Sequence, residues 1–156
     1  MIKVSLTDSE VEICTLIGKI RHLKTSAKCD EQIQSNLNPE QISIDGVLSE
    51  YIVAKHKALF FDLNCEVRKF GADLISNGKK IDIKSTRKEG GDLNIRITHK
   101  DKDYDFYVLV ELTQHDNGII IGYISRDDAI KDENIVVNPN GNPYYKISRS
   151  LLKILK

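Results

Sequence analysis

The chain is constrained most tightly at Gly71-Ala72-Asp73-Leu74-Ile75-Ser76-Asn77-Gly78-Lys79-Lys80-Ile81-Asp82-Ile83-Lys84-Ser85. Asn-Gly between two alternating apolar runs is the strongest local signal for a two-residue hairpin turn. With Asn77 and Gly78 in the turn, counting outward sets Ser76 against Lys79, Ile75 against Lys80, Leu74 against Ile81 and Asp73 against Asp82. Side chains alternate between faces along a strand, so Asp73, Asp82 and Lys84 share one face and Leu74, Ile81 and Ile83 the other. Like charges directly opposite each other destabilise a strand pair, and a cation is the usual compensator. A hard ion such as Mg2+ takes one or two carboxylates together with waters and phosphate oxygens. Lys84, on the same face, helps neutralise the acids or acts on a bound water. The hairpin therefore reads as a metal site, against the bland alternative of a solvated hairpin face. An acid-x-Lys triplet arises by chance about twice in a chain of this composition, so its weight comes from the opposed Asp73 and the register.

At 156 residues the chain has the length of a single domain, 1–156, large enough to bury a real core. Lys and Arg total 23 and so do Asp and Glu, so no global field advertises nucleic acid and any basic footprint must be local. That footprint is the window in which Lys79, Lys80, Lys84, Arg87 and Lys88 surround a single acid, Asp82. Lys and Arg contacts to phosphates supply most sequence-independent affinity for DNA, although a charge run is as often only a solvated face. Cys14, Cys29 and Cys65 are widely spaced and form no Cys-x-x-Cys pair, as expected of reduced core thiols. With neither a secretory pattern at the N-terminus nor a membrane-length apolar run, the expected location is the cytoplasm.

Along the chain, Ile2 to Leu6 alternates as a strand, and Thr7-Asp8-Ser9-Glu10 fits a capping box. Val11, Ile13, Cys14, Ile17, Ile20 and Leu23 follow at helical spacing to about Lys24. Residues 25–43 read as a polar loop. A second helix is expected over about Gly46 to Phe60 with Asp45 as N-cap and Val47, Leu48, Tyr51, Ile52, Ala54, Ala58 and Leu59 as its apolar stripe. A short strand is expected around Cys65 to Arg68. Beyond the hairpin, strands are expected over Leu93 to Thr98, Asp105 to Leu112, Gly118 to Ile124 and Tyr144 to Ile147. His99-Lys100-Asp101-Lys102-Asp103 and Gln114-His115-Asp116 read as polar turns. Ser125 and Ser148 are expected to cap short helices. His99 and His115 show no metal-ligand spacing and are assigned no role. The order implies one α/β domain on a mixed sheet, without a second core.

An Asp in one strand, a short turn, and Asp-x-Lys in the next resembles the PD-(D/E)XK nuclease superfamily, with Ala72 where that pattern nominally has Pro. The layout over most of the chain looks like that of small nuclease-like proteins of tailed phages and prophages. The resemblance implies a restriction-endonuclease-like α/β core, a mixed β-sheet flanked by helices. It implies that Asp73 and Asp82 hold Mg2+, for which Mn2+ substitutes, with the Ile83 carbonyl also available. Glu50, on the helix before the hairpin, matches the extra acid that such helices supply, against the alternative of a solvated helix glutamate. Lys84 would orient the attacking water, and Lys79, Lys80, Arg87 and Lys88 would grip the backbone of DNA. Nothing in the chain suggests a base-reading helix, so branched or single-stranded DNA, or weakly specific cleavage, is expected. Duplex cutters of this type often act as homodimers, and no interface is identifiable here. Two alternatives stand beside the endonuclease: an inactive nuclease fold that only binds nucleic acid, and a phage accessory protein whose carboxylates are merely solvated.

Overall fold

The computed structural model describes residues 1–25, 38–65, 71–113 and 117–155. Its organising turn is the expected one. Asn77 and Gly78 both take positive φ, +50° and +75°, as the hairpin turn that matches strand twist requires. They join β2 (Leu74–Ser76) to β3 (Lys79–Thr86) with Ser76, Ile75 and Leu74 opposite Lys79, Lys80 and Ile81. The near-continuous apolar run forms β5 (Phe106–Leu112), which lies parallel to β3. Next come β6 (Gly118–Ser125), antiparallel to β5, and β1 (Ile2–Val4), antiparallel to β6. The five-stranded mixed sheet runs β1-β6-β5-β3-β2.

One face of this sheet is covered by two helices. α1 (Asp8–Thr25) starts with the expected capping box: Thr7 N–H donates to Glu10 Oε2 at 2.7 Å and Glu10 N–H donates to Thr7 Oγ1 at 3.3 Å. Its buried side differs from the expected stripe. Cys14 and Ile17 are buried, but Ile13 and Leu23 are exposed. Gly18 sets that choice, because a Cβ there would stand 2.6 Å from the Ile44 Cα, so only this face lets the two helices close. α2 (Pro39–Lys57) begins well before the expected Gly46. Asn38 is its N-cap, accepting from Glu40 N–H at 3.0 Å, and Pro39 opens the first turn. Asp45 is therefore inside the helix rather than at its cap. Val47, Leu48, Ile52 and Ala54 pack with Cys14, Ile17, Ile81, Ile83, Val108 and Val110 into one apolar cluster.

The other face holds what the periodicity did not show: a second sheet with its own core. β4 (Leu93–Arg96), β8 (Pro143–Ile147) and β7 (Ile135–Val137) pair antiparallel in the order β4-β8-β7. Leu93, Ile95, Tyr145 and Ile147 pack against Tyr107, Leu109, Ile121 and Ile124 of the large sheet. Helices thus flank only one face fully. On the other, besides the small sheet, lie α3 (Arg126–Ala129), capped by Ser125 as expected, and a 3-10 turn over Ile97–Asp101 in place of the open charged turn. Ser148 caps another 3-10 turn, Arg149–Leu151. Arg68 of the expected 65–68 strand, the Gln114-His115-Asp116 turn and Cys29 lie outside the described residues. No helix among those residues is long and apolar enough to cross a membrane.

Candidate functional site

Because β2 has only three residues, its pairing with β3 ends at Leu74. Asp73 does not continue the ladder opposite Asp82. Its N–H donates to Ile81 O at 3.0 Å, and its side chain turns along the edge so that Oδ2 accepts from Ile83 N–H at 2.7 Å. On the far side of β3, Lys80 N–H donates to Asp105 Oδ2 and Lys80 O accepts from Asp105 N–H, each at 2.8 Å. Backbone groups of alternate strand residues point to opposite sides, so Ile83 turns its N–H and C=O together toward the edge where Asp73 sits. The expected juxtaposition is corrected accordingly. Asp82 and Lys84 share a face, and Asp73 flanks them from the strand edge.

Asp82 is only 3% exposed. The Lys84 ammonium lies 2.5 Å from its Oδ2, an ion pair. Burial raises the Asp82 pKa, and the neighbouring Lys84 charge opposes the rise. His99, carried by the 3-10 turn, places Nδ1 3.8 Å from the same oxygen. Burial first, then the charges of Lys84, Arg96 and Lys102, push its pKa down to about 3, so the imidazole is neutral. Tyr107 pairs with Asp82 across β3 and β5. The Tyr104 phenol is held above its ordinary range by burial and then by the charges of both Asp82 and Asp73, so both carboxylates act on it.

The His99 Nδ1, Tyr107 hydroxyl and Asn94 Oδ1 atoms are buried without a hydrogen-bond partner among the described residues, as is Ser49 Oγ in the helix layer. Such atoms cost stability, and two of them, on His99 and Tyr107, stand beside the buried Asp82, as candidate functional sites often show.

A cavity of about 650 Å³ opens beside this cluster, between α2, the end of β3 and the small sheet. Five cations line it: Lys84, Arg87, Lys88, Arg96 and Lys146. Arg87 is tied to buried Asp45, through Nε to Oδ2 at 2.8 Å and Nη2 to Oδ1 at 2.7 Å, while Gln41 Nε2 donates to Oδ1 at 2.7 Å. Lys146 lies 3.4 Å from Asp92. Lys88 and Arg96 make no ion pair among the described residues. Lys79 and Lys80 are outside the cavity, near the hairpin tip, paired with Asp105 at 2.7 Å and Asp103 at 2.5 Å.

Glu50 is not brought to the carboxylates. It is buried in the helix layer, where Arg21 Nη1 donates to both of its oxygens at 3.1 and 2.8 Å and Arg21 Nη2 reaches Asp62 O. Among the described residues no group of three or more His, Cys, Asp or Glu side chains is arranged to hold a metal ion. The structure adds Asn94, Arg96, His99, Tyr144 and Lys146, none of which stands in a recognisable sequence motif. The signal available for four of them was the alternation of β4 and β8, which sets Asn94, Arg96, Tyr144 and Lys146 on the face opposite the apolar one. No family model, curated protein or solved structure matches the chain.

Proposed function

We propose that the protein is a divalent-metal-dependent DNA endonuclease of the PD-(D/E)XK type, hydrolysing phosphodiester bonds at Asp73, Asp82 and Lys84. One observation carries this reading: Ile83 and Lys84 line a cavity that holds five cations, and each is bonded to a carboxylate of the hairpin, Lys84 to buried Asp82 and the Ile83 N–H to Asp73. The donor set is of the kind a hard cation takes: two carboxylates, Asp82 beside the Lys84 ammonium and Asp73 on the strand edge that Ile83 O also faces. Glu50 has no part in it. Mg2+ or Mn2+, when bound, supplies a Lewis acid that acidifies water and offsets phosphate charge. The chain's own contribution is positional. Asp73 and Asp82 fix where positive charge sits, Lys84 orients the attacking water and stabilises charge developing on the phosphate, and Lys88 and Arg96 hold the flanking backbone.

A second reading, a nuclease fold that only binds nucleic acid, is favoured by one feature: Lys84 and the Ile83 N–H already answer the two carboxylates. Supercoiled plasmid and circular single-stranded DNA incubated with Mg2+ or Mn2+ separate the two. Cleavage abolished both by EDTA and by Asp82→Ala is expected. Activity that survives Asp82→Ala would place the chemistry elsewhere, and bound but uncut DNA would favour the second reading.

A further inference from the structure

We infer that the small sheet is a reading surface for single-stranded DNA, with Tyr144 as a stacking platform and Arg96 and Lys88 as phosphate contacts. This rests on the nucleic-acid reading of the cavity and deepens it by naming the form of the substrate.

The argument begins with register. Arg96 pairs with Tyr144 and Asn94 with Lys146 across β4 and β8. Strand alternation puts these four side chains on one face, while Leu93, Ile95, Tyr145 and Ile147 fill the core on the other. All four line the cavity. Directly opposed residues stand within about 5 Å at Cβ, so Tyr144 and Arg96 leave the sheet side by side on the cavity wall.

Two of the cavity's five cations, Arg96 and Lys88, have no carboxylate partner among the described residues, whereas Lys84, Arg87 and Lys146 each have one. Unmatched cations in a concave site call for an anion, and phosphodiesters supply it in series. Asn94 adds an amide side chain to the same wall. An aromatic face flanked by unmatched cations is what an unpaired strand needs, because its bases are free to leave the stack and lie on a ring. Paired bases present no such face. A volume of about 650 Å³ also falls within the roughly 300–1,000 Å³ of clefts that enclose small ligands. It suits a short unpaired stretch better than the outside of a duplex.

The test is fluorescence anisotropy with a labelled oligo(dT) strand and a labelled hairpin duplex, in EDTA so that nothing is cut. Tyr144→Ala should weaken single-strand binding by about tenfold, and Tyr144→Phe, which keeps the ring, by less than about twofold. Arg96→Ala should weaken it too and flatten its dependence on log salt by about 0.7. Duplex binding should be weaker in the parent protein and unchanged by Tyr144→Ala. Unfolding curves coincident with the parent's keep each variant interpretable. A Tyr144→Ala variant that binds oligo(dT) like the parent, or loses both probes equally, overturns the inference while leaving the nucleic-acid reading intact. Failure of the parent protein to bind either probe overturns both.

Discussion

The two faces of the large sheet are packed by different rules. On the helix side Leu48 and Ile52 are fully buried in an apolar cluster, and the charged groups are matched. Arg21 holds Glu50, and Lys55 meets Glu10 at 2.6 Å while Tyr51 donates to the same carboxylate at 2.8 Å. On the other side an equally buried cluster of Leu93, Ile95 and Ile147 borders Asp82, which Lys84 meets, and His99 and Tyr107, whose buried Nδ1 and hydroxyl have no hydrogen-bond partner among the described residues; in the helix layer the same holds for Ser49 Oγ. The same strands thus serve a face whose charges are closed off in ion pairs and a face where a buried carboxylate, an imidazole and a phenol stand together. Proteins place under-satisfied groups where function requires them and recover the free energy elsewhere. Here, elsewhere is one sheet thickness away.

The largest test of this contrast is Leu48→Ala. Its side chain is entirely buried against the sheet, so urea denaturation should show a loss of about 2–5 kcal/mol. Next is Glu10, whose pKa falls from 4.5 to about 2, first through Lys55 and then through the Thr7 N–H. The folded chain holds this carboxylate ionised more readily than the unfolded chain does. Its stabilisation is therefore complete above pH 4.5 and is lost as pH falls through 2. Glu10→Gln should cost about 1 kcal/mol at neutral pH and flatten the thermal midpoint between pH 5 and 2, roughly that range. The smallest effect is expected at Asp82→Asn. Removing a buried charge relieves its desolvation, and Lys84 is exposed enough to be hydrated, so stability should stay within about 1 kcal/mol of the parent or rise. A loss as large as that of Leu48→Ala would erase the distinction between the faces.

The parts of this structure that could be read from sequence are those decided within a few residues. Asn77-Gly78 dictates its own backbone and so the register of three residue pairs. Thr7 and Glu10 satisfy each other's amides without help from the rest of the chain. The sequence misleads where a distant partner decides. Asn38-Pro39 suits a loop and a helix start equally, and packing of Ile44 against Gly18 selects the latter. The phase of α1 is not fixed by its period, because Ile13 and Leu23 keep the helical spacing but lie off the face that closes on α2. β7 has only three residues and gains its identity from pairing with β8. At the site, the Asp82–Lys84 adjacency follows from strand alternation. His99 lies seventeen positions after Asp82 in sequence and approaches it only because a 3-10 turn folds back over the sheet. Glu50 was matched to a role by its place before the hairpin, but the side it faces was set by Arg21.

Both edges of the large sheet are three-residue strands, β1 and β2, while β3 inside runs for eight. Beyond Ile81, no strand among the described residues pairs with β3 on its β2 side, and an unpaired edge is a template on which a second molecule can add a strand. Asp73 occupies the Ile83 donor on that edge with a charged oxygen, which makes it a guard against self-association.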